Sequence, residues 1–298
     1  MVDLGSDQNG GRRLSRLVVF IPGIGGSVLA DPETGDVVWS HRRRHLARAL
    51  IDPQSLDPDR PLCATGLLDD VQLLPGWTVM PGYGMAWEQL CGIPGAIPGE
   101  NLVAFPYDFR QSNRDSAARL DAVVRDRLAA LGRTDEPDSV IVVAHSMGGL
   151  VARHWISQLG GHEVCHALLT LGTPHRGAPK ALDTLANGLA VPGTRRILRL
   201  KELGQALRTW PSMAELLPRY PCIQHPDAPD EGMRVHELTQ VDTSWAWLAE
   251  LGQAGWAFHS QIEAGWADLH DRPMLRARAG VLQPTLRSAT LNGNRLAV

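Results

Sequence analysis

The chain is short of the features that would send it to several common protein classes. It has only four cysteines, Cys63, Cys91, Cys165 and Cys222, with no CxxC pair and no metal-ligand spacing. That pattern excludes a disulfide framework or a zinc module and reads as reduced, structural thiols. Long apolar runs are missing. Leu17-Val-Val-Phe-Ile21 is too short for a membrane span or a signal-peptide core, and residues 1–16 are polar and Gly-rich. A soluble cytoplasmic protein with a flexible tail over 1–16 is therefore expected. Charge of one sign is lacking too. The 29 basic against 32 acidic residues leave a net charge of −3, with no electrostatic footprint for nucleic acid. Internal repeats and low-complexity segments are absent, and no motif implies a metal or an organic cofactor.

What is present suits one large α/β domain. The 30 glycines and 21 prolines supply tight turns and long loops, and nine tryptophans outnumber four phenylalanines. No linker divides residues 17–298. The chain is organised around Ser146. Val140–Val143 is a β-branched run that reads as a buried strand. Ala144-His-Ser-Met-Gly-Gly149 follows, then a helical pattern of Leu150, Val151, Ile156 and Leu159. Strand, tight turn and helix form the context of a nucleophile elbow, which holds a serine above the carboxyl edge of a parallel sheet. Small neighbours are needed because strand and helix approach closely there. The Met147 N–H then faces a developing oxyanion at the helix start. Upstream, Leu17–Ile21 reads as another buried strand. Its Pro22-Gly-Ile-Gly-Gly-Ser27 turn makes Ile24 the candidate for the second oxyanion N–H, or else is a plain Gly-rich turn.

Between these blocks, Asn101–Phe105 reads as a strand. Ser112 and Asp115 form a capping box before a helix with Leu120, Val124, Leu128 and Leu131 at helical spacing. Ala167–Leu171 is a further strand. His175, in the loop after it, leads into a cap rather than serving as catalytic base. The alternation predicts right-handed crossovers and a mostly parallel sheet with flanking helices. Residues 178–272 read as a helical cap insertion, with a capping box at Ser212 and Glu215. Trp210 and Met213 either line an acyl pocket there or pack the cap. The stretch 60–84, ending in Met80-Pro-Gly-Tyr-Gly84, reads as a lid-like loop that brings Tyr83 to the site, or as a packed surface loop. His41-Arg-Arg-Arg-His45 is a solvated helix face or, failing that, a phosphate contact. Met274–Leu282 returns to strand, and Asn292-Gly293 marks a hairpin turn.

Taken in order, Leu17–Ser27, Met80–Gly84, Phe105-Pro-Tyr-Asp-Phe-Arg110, Val142–Gly149, Leu171-Gly-Thr-Pro-His-Arg-Gly177 and Trp210-Pro-Ser-Met-Ala-Glu-Leu-Leu-Pro218 resemble the lecithin:cholesterol acyltransferase family. That family includes lysosomal phospholipase A2 and phospholipid:diacylglycerol acyltransferases. The resemblance implies an α/β-hydrolase fold with cap and lid, and O-acyltransferase or lipase-esterase chemistry on lipid esters. It implies Ser146 as nucleophile, Met147 and Ile24 as oxyanion donors, and Tyr83, Trp210 and Met213 against the substrate. It implies peripheral contact with a lipid surface. Secreted members close the lid with a disulfide; Cys63 lies near one half of that pair and has no upstream partner.

The family acid sits in a Gly-Asp-Gly-Thr-Val-like motif after the strand matched by Met274–Leu282, and the histidine follows it. Neither occurs before Val298. Three readings stay open. One is a truncated family member with weak or no activity. A second is an esterase using Asp242, Asp268 or Asp271 with His259 or His270. The third is a lipid-binding protein without turnover. A further expectation is that the 274–282 strand is an exposed sheet edge that favours aggregation.

Overall fold

The computed structural model describes residues 14–74, 77–80, 82–134, 136–191, 198–225, 228–282, 285–292 and 295–297. Five strands pair into one parallel sheet. They are β1 (Leu17–Ile21), β2 (Leu102–Ala104), β3 (Val140–His145), β4 (Cys165–Leu171) and β5 (Met274–Arg278), in the order β5-β4-β3-β1-β2. All of β1 and all of β3 up to Ala144 are buried, as both faces of a parallel sheet must be. The pleat divides the side chains. Leu17, Val19, Ile21, Val140 and Val142 face a core built with α2 (Asn113–Ala130), α3 (Gly148–Gln158) and α4 (Ala246–Asp268). Val18, Phe20, Ile141 and Val143 face a smaller core under α1 (Gly84–Cys91). The strand order reverses between β1 and β3. Ligand sites of open α/β sheets lie in the crevice beyond the carboxyl ends at such a switch point.

Helix α2 starts where expected. Ser112 is its N-cap, its Oγ accepting the Arg114 N–H at 3.1 Å rather than forming the expected box with Asp115, and Leu120, Val124 and Leu128 are buried. The Ser212–Glu215 box does not form. Pro211 opens the short helix Pro211–Glu215 without a side-chain cap, and Ser212 Oγ donates to the Phe109 carbonyl at 2.6 Å. Glu215 instead caps α2 from outside. It accepts the Ser112 hydroxyl at 2.7 Å, the Asn113 N–H at 2.6 Å and the Arg114 guanidinium at 2.7 Å.

Several boundaries differ from expectation. Residues 14–16 do not belong to a free tail: Leu14 is buried, and its N–H donates to the Pro94 carbonyl. The stretch 60–84 is ordered into strands. Cys63–Leu67 pairs with Ser27–Ala30, itself paired with Val37–Trp39, and Val71–Leu74 forms a hairpin with Trp77–Met80. The 178–272 segment is mixed rather than helical. Leu189–Val191 pairs with Leu198–Leu200, and Ile223–His225 pairs with Ala228–Met233. Ala289–Asn292 joins the latter pair and turns back onto Arg295–Ala297, with Asn292 opposite Arg295. Gly293 of the expected turn lies outside the described residues. Within the same segment, α4 packs directly on α3; a Cβ at Gly265 would fall 2.5 Å from the Ser157 carbonyl. Finally, β5 stops at Arg278, and exposed Leu282 has a φ of 62° that takes it off the strand. No helix among the described residues is long and apolar enough to cross a membrane.

Candidate active site

Ser146 stands on the turn between β3 and α3 with a φ of 49°. Left-handed backbone at a non-glycine residue costs of order 1–3 kcal/mol and persists only where neighbours enforce it. Here they do. The Ser146 N–H donates to the Leu171 carbonyl at 2.9 Å, and its carbonyl accepts the Gly149 N–H at 3.1 Å. The small residues are a steric requirement. A Cβ at Gly148 would lie 2.4 Å from the Pro22 carbonyl oxygen, and one at Gly149 would lie 2.1 Å from Thr173 Oγ1. The strand, tight turn and helix expected around Ser146 are thus in place, with the serine partly accessible.

The Pro22–Gly26 turn lies beside it because β1 pairs with β3 in register, Ile21 opposite Ala144. A Cβ at Gly23 would fall 2.9 Å from Ser146 Cβ. Among the described residues, no acceptor takes the N–H of Ile24 or of Met147. Both stay available to an oxyanion. Met147 itself is fully buried and anchors the start of α3.

Two tyrosines hold this turn. Tyr107, fully buried, donates its hydroxyl to the Pro22 carbonyl at 3.1 Å, and its N–H donates to Ser27 Oγ at 3.0 Å. Tyr83, at the foot of the 71–80 hairpin, accepts the Gly23 N–H on its hydroxyl at 2.8 Å. The same hydroxyl is 2.8 Å from His145 Nδ1. Accepting the Gly23 N–H leaves the tyrosine oxygen a second lone pair and its own hydrogen, so it pairs with Nδ1 in either neutral tautomer of His145. Desolvation lowers the His145 pKa, which favours the neutral imidazole. Burial raises the Tyr83 pKa, so the hydroxyl stays protonated. The Tyr83 hydroxyl thus joins the Pro22–Gly26 turn and the end of β3 at one atom. Neither Tyr107 nor His145 was singled out from sequence. The signal was there in Pro106-Tyr-Asp-Phe-Arg110, whose Asp108 and Arg110 form a buried ion pair at 2.6 Å, while Arg110 also donates to the Arg60 carbonyl at 3.0 Å.

The remaining candidates are placed apart from the elbow. Trp210 and Met213 are core residues in this structure. The Trp210 ring packs on Phe109 at 5.6 Å, and its indole N–H donates to the Leu56 carbonyl. His175 Nε2 is 3.1 Å from Thr170 Oγ1, and its Nδ1 is 3.5 Å from the Arg153 guanidinium. Burial, then Arg153, pushes its pKa to about 4. His259 is 1% exposed on α4, and burial with nearby Arg153 and Arg219 likewise lowers it to about 4. His270, Asp268 and Asp271 are exposed at the end of α4 and beyond it. Asp242 caps the Thr243–Trp245 turn by accepting the Ser244 N–H. Among the described residues, no side chain hydrogen-bonds the Ser146 hydroxyl. Cys63 is a free thiol against the Ala30 carbonyl.

With this geometry in view, residues 114–190 match the PGAP1-like alpha/beta domain family. The chain is 30% identical over 203 residues to Lecithin-cholesterol acyltransferase-like 4 of Arabidopsis thaliana, covering 58% of this chain and 37% of that protein. It is 26% identical over 220 residues to Phospholipase A(1) LCAT3 of the same plant, covering 61% of this chain and 47% of that one. It therefore spans less than half the length of both. Among solved structures, a chain in the crystal structure of the Tle4-Tli4 complex superposes with a TM-score of 0.56 at 17% identity, covering 84% of this chain and 72% of that one.

Proposed function

We propose that the chain is an LCAT-like α/β-hydrolase that transfers the acyl group of a lipid ester through an acyl-enzyme at Ser146. Ser146 Oγ attacks the ester carbonyl, and the N–H groups of Ile24 and Met147 receive the negative charge on its oxygen. The ester C–O bond breaks and the alcohol leaves. Water or a second alcohol then takes the acyl group and restores the serine. The carrying observation is the positive-φ serine at the sheet's switch point, set against a turn with an unengaged N–H. The proton of Ser146 must pass to a base. His259 is buried and holds its neutral form only weakly basic, so it does not serve well.

That the Ser146 hydroxyl has no partner among the described residues favours a second reading, in which an acyl ligand binds here without turnover. Hydrolysis of a short-chain p-nitrophenyl ester by residues 1–298, beside Ser146→Ala, separates the two. A rate well above that of the variant is expected for the acyl-enzyme. Equal rates, with a fatty-acyl probe still bound, would give the second reading.

A further inference from the structure

The His41-Arg-Arg-Arg-His45 run is not used by the acyl-transfer site. It opens the helix Arg43–Ile51, which has no side-chain N-cap and no acidic residue in its first turn. Arg42, Arg44 and Arg48 are exposed, and with the half-buried His41 and His45 they line an open concavity of about 590 Å³, within the range of ligand sites. Its apolar wall comes from Val28 and Val37. One carboxylate, Asp36, faces the five basic groups. Among the described residues, no carboxylate forms an ion pair with Arg42, Arg44 or Arg48. The neighbouring Asp69 and Asp70 are turned to backbone, accepting the Asp70 and Gly82 N–H groups.

The wall is ordered by its own hydrogen bonds. Ser40, which is buried, places Oγ 2.7 Å from His45 Nδ1 and accepts the Arg42 N–H on the same oxygen. Arg44 Nε donates to His45 Nε2 at 3.1 Å, which fixes His45 with its proton on Nδ1. Burial, then Arg44 and Arg42, lower the His45 pKa, as unneutralised positive charge must. The segment is also tied to the oxyanion turn, since the indole N–H of Trp39 donates to the Gly25 carbonyl at 2.8 Å.

We propose that this concavity is a phosphate-binding site, in which the guanidinium forks of Arg42, Arg44 and Arg48 hold the oxygens of a phosphate ester. Planar forks match phosphate oxygens two at a time, and each charge-assisted hydrogen bond is stronger than a neutral one. Three forks around one apolar-walled hollow suit a phosphate group better than a single carboxylate. The site stands apart from the Ser146 chemistry and does not depend on it.

The test uses the full chain with two probes. Inorganic phosphate is titrated against the thermal midpoint at constant ionic strength, and phosphatidylcholine vesicles with and without phosphatidic acid are used in flotation. The variants are R44Q/R48Q, the charge-keeping R44K/R48K and, as a matched loss of charge elsewhere, R276Q/R287Q. Phosphate is expected to raise the midpoint of the unaltered chain. Its apparent affinity should fall about 10-fold or more in R44Q/R48Q and several-fold in R44K/R48K, with R276Q/R287Q unchanged. If the source is a lipid headgroup, binding to phosphatidic acid vesicles falls in parallel and free phosphate competes with it. If the source is a soluble ester, phosphate binding is lost while vesicle binding does not change. Equal phosphate affinity in R44Q/R48Q, or an equal loss in R276Q/R287Q, would overturn the site. Ester hydrolysis is not a readout here, so an inactive Ser146 leaves the result intact.

Discussion

At the scale of single residues, the candidate site depends on hydroxyls and carboxylates that brace backbone. Tyr83 takes the Gly23 N–H and pairs with His145 Nδ1, so it holds the Pro22–Gly26 turn against the end of β3. Tyr83→Phe keeps the ring on Phe20 but loses both bonds. The rate at which Ser146 is labelled by a fluorophosphonate probe should fall about 10-fold, the equivalent of one hydrogen bond of about 1.4 kcal/mol. An unchanged rate would show that the turn keeps its shape without the clamp. Glu215 closes the first turn of α2 from about 100 residues away, making three bonds with Arg114 included. Glu215→Ala leaves a buried N–H and hydroxyl without partners and should cost about 2–4 kcal/mol in a denaturant titration. A loss below about 0.5 kcal/mol would mean that water replaces the carboxylate. Glu215 also shows where sequence reading stops. Its spacing from Ser212 imitates a local capping box, but Pro211 already starts that helix, and the N–H groups in need belong to another element.

The elements divide by how far their meaning was local. β1, β3 and the turn into α3 were legible because strand character, a small-residue turn and helical spacing follow one another without interruption. The same holds for α2. The strands Leu189–Val191, Leu198–Leu200 and Ile223–His225 were not, because each is three residues long and has no period to read. The 71–80 hairpin was hidden by Pro75-Gly76 and by Pro81-Gly82 just after it, which read as a loop. At the elbow the close approach of α3 to the loop after β4 gives an element-scale test. Gly149→Ala would drive a Cβ into Thr173, with 2.1 Å to Oγ1 and 2.6 Å to Cγ2. Helix or loop must shift, at about 1–3 kcal/mol. The unfolding midpoint should drop, and the paired change Gly149→Ala with Thr173→Ala should recover much of the loss. No recovery would place the strain elsewhere.

For the whole molecule, the packed interface of α3 and α4 sets an acid limit. His154 stacks on Phe258 at 5.6 Å, and His259 lies beside it. Burial lowers both to about 4 from the ordinary value of 6.5. A base with a lowered folded-state pKa takes up its proton more readily when unfolded. Stability from these two groups is therefore complete above about pH 6.5 and is lost as pH falls toward 4. Each contributes up to about 1.4 kcal/mol per pH unit inside that window. Thermal midpoints should decline between pH 6.5 and 4, and His154→Gln should flatten part of the slope. A flat profile would mean that the interface opens to water before it titrates.

The central place of β1 sets the order in which the chain can be assembled. Residues 17–21 are made early, yet their partner on the elbow side, Val140–Ala144, lies about 120 residues later in synthesis. At ribosomal speeds of about 5–20 residues per second, the strand waits roughly 6–25 s for that partner. During this interval five consecutive apolar residues have only β2 on one side to cover them. The nascent protein is thus most vulnerable to misassociation before the serine turn has left the ribosome, and a slow pause upstream of β3 would lengthen that exposure.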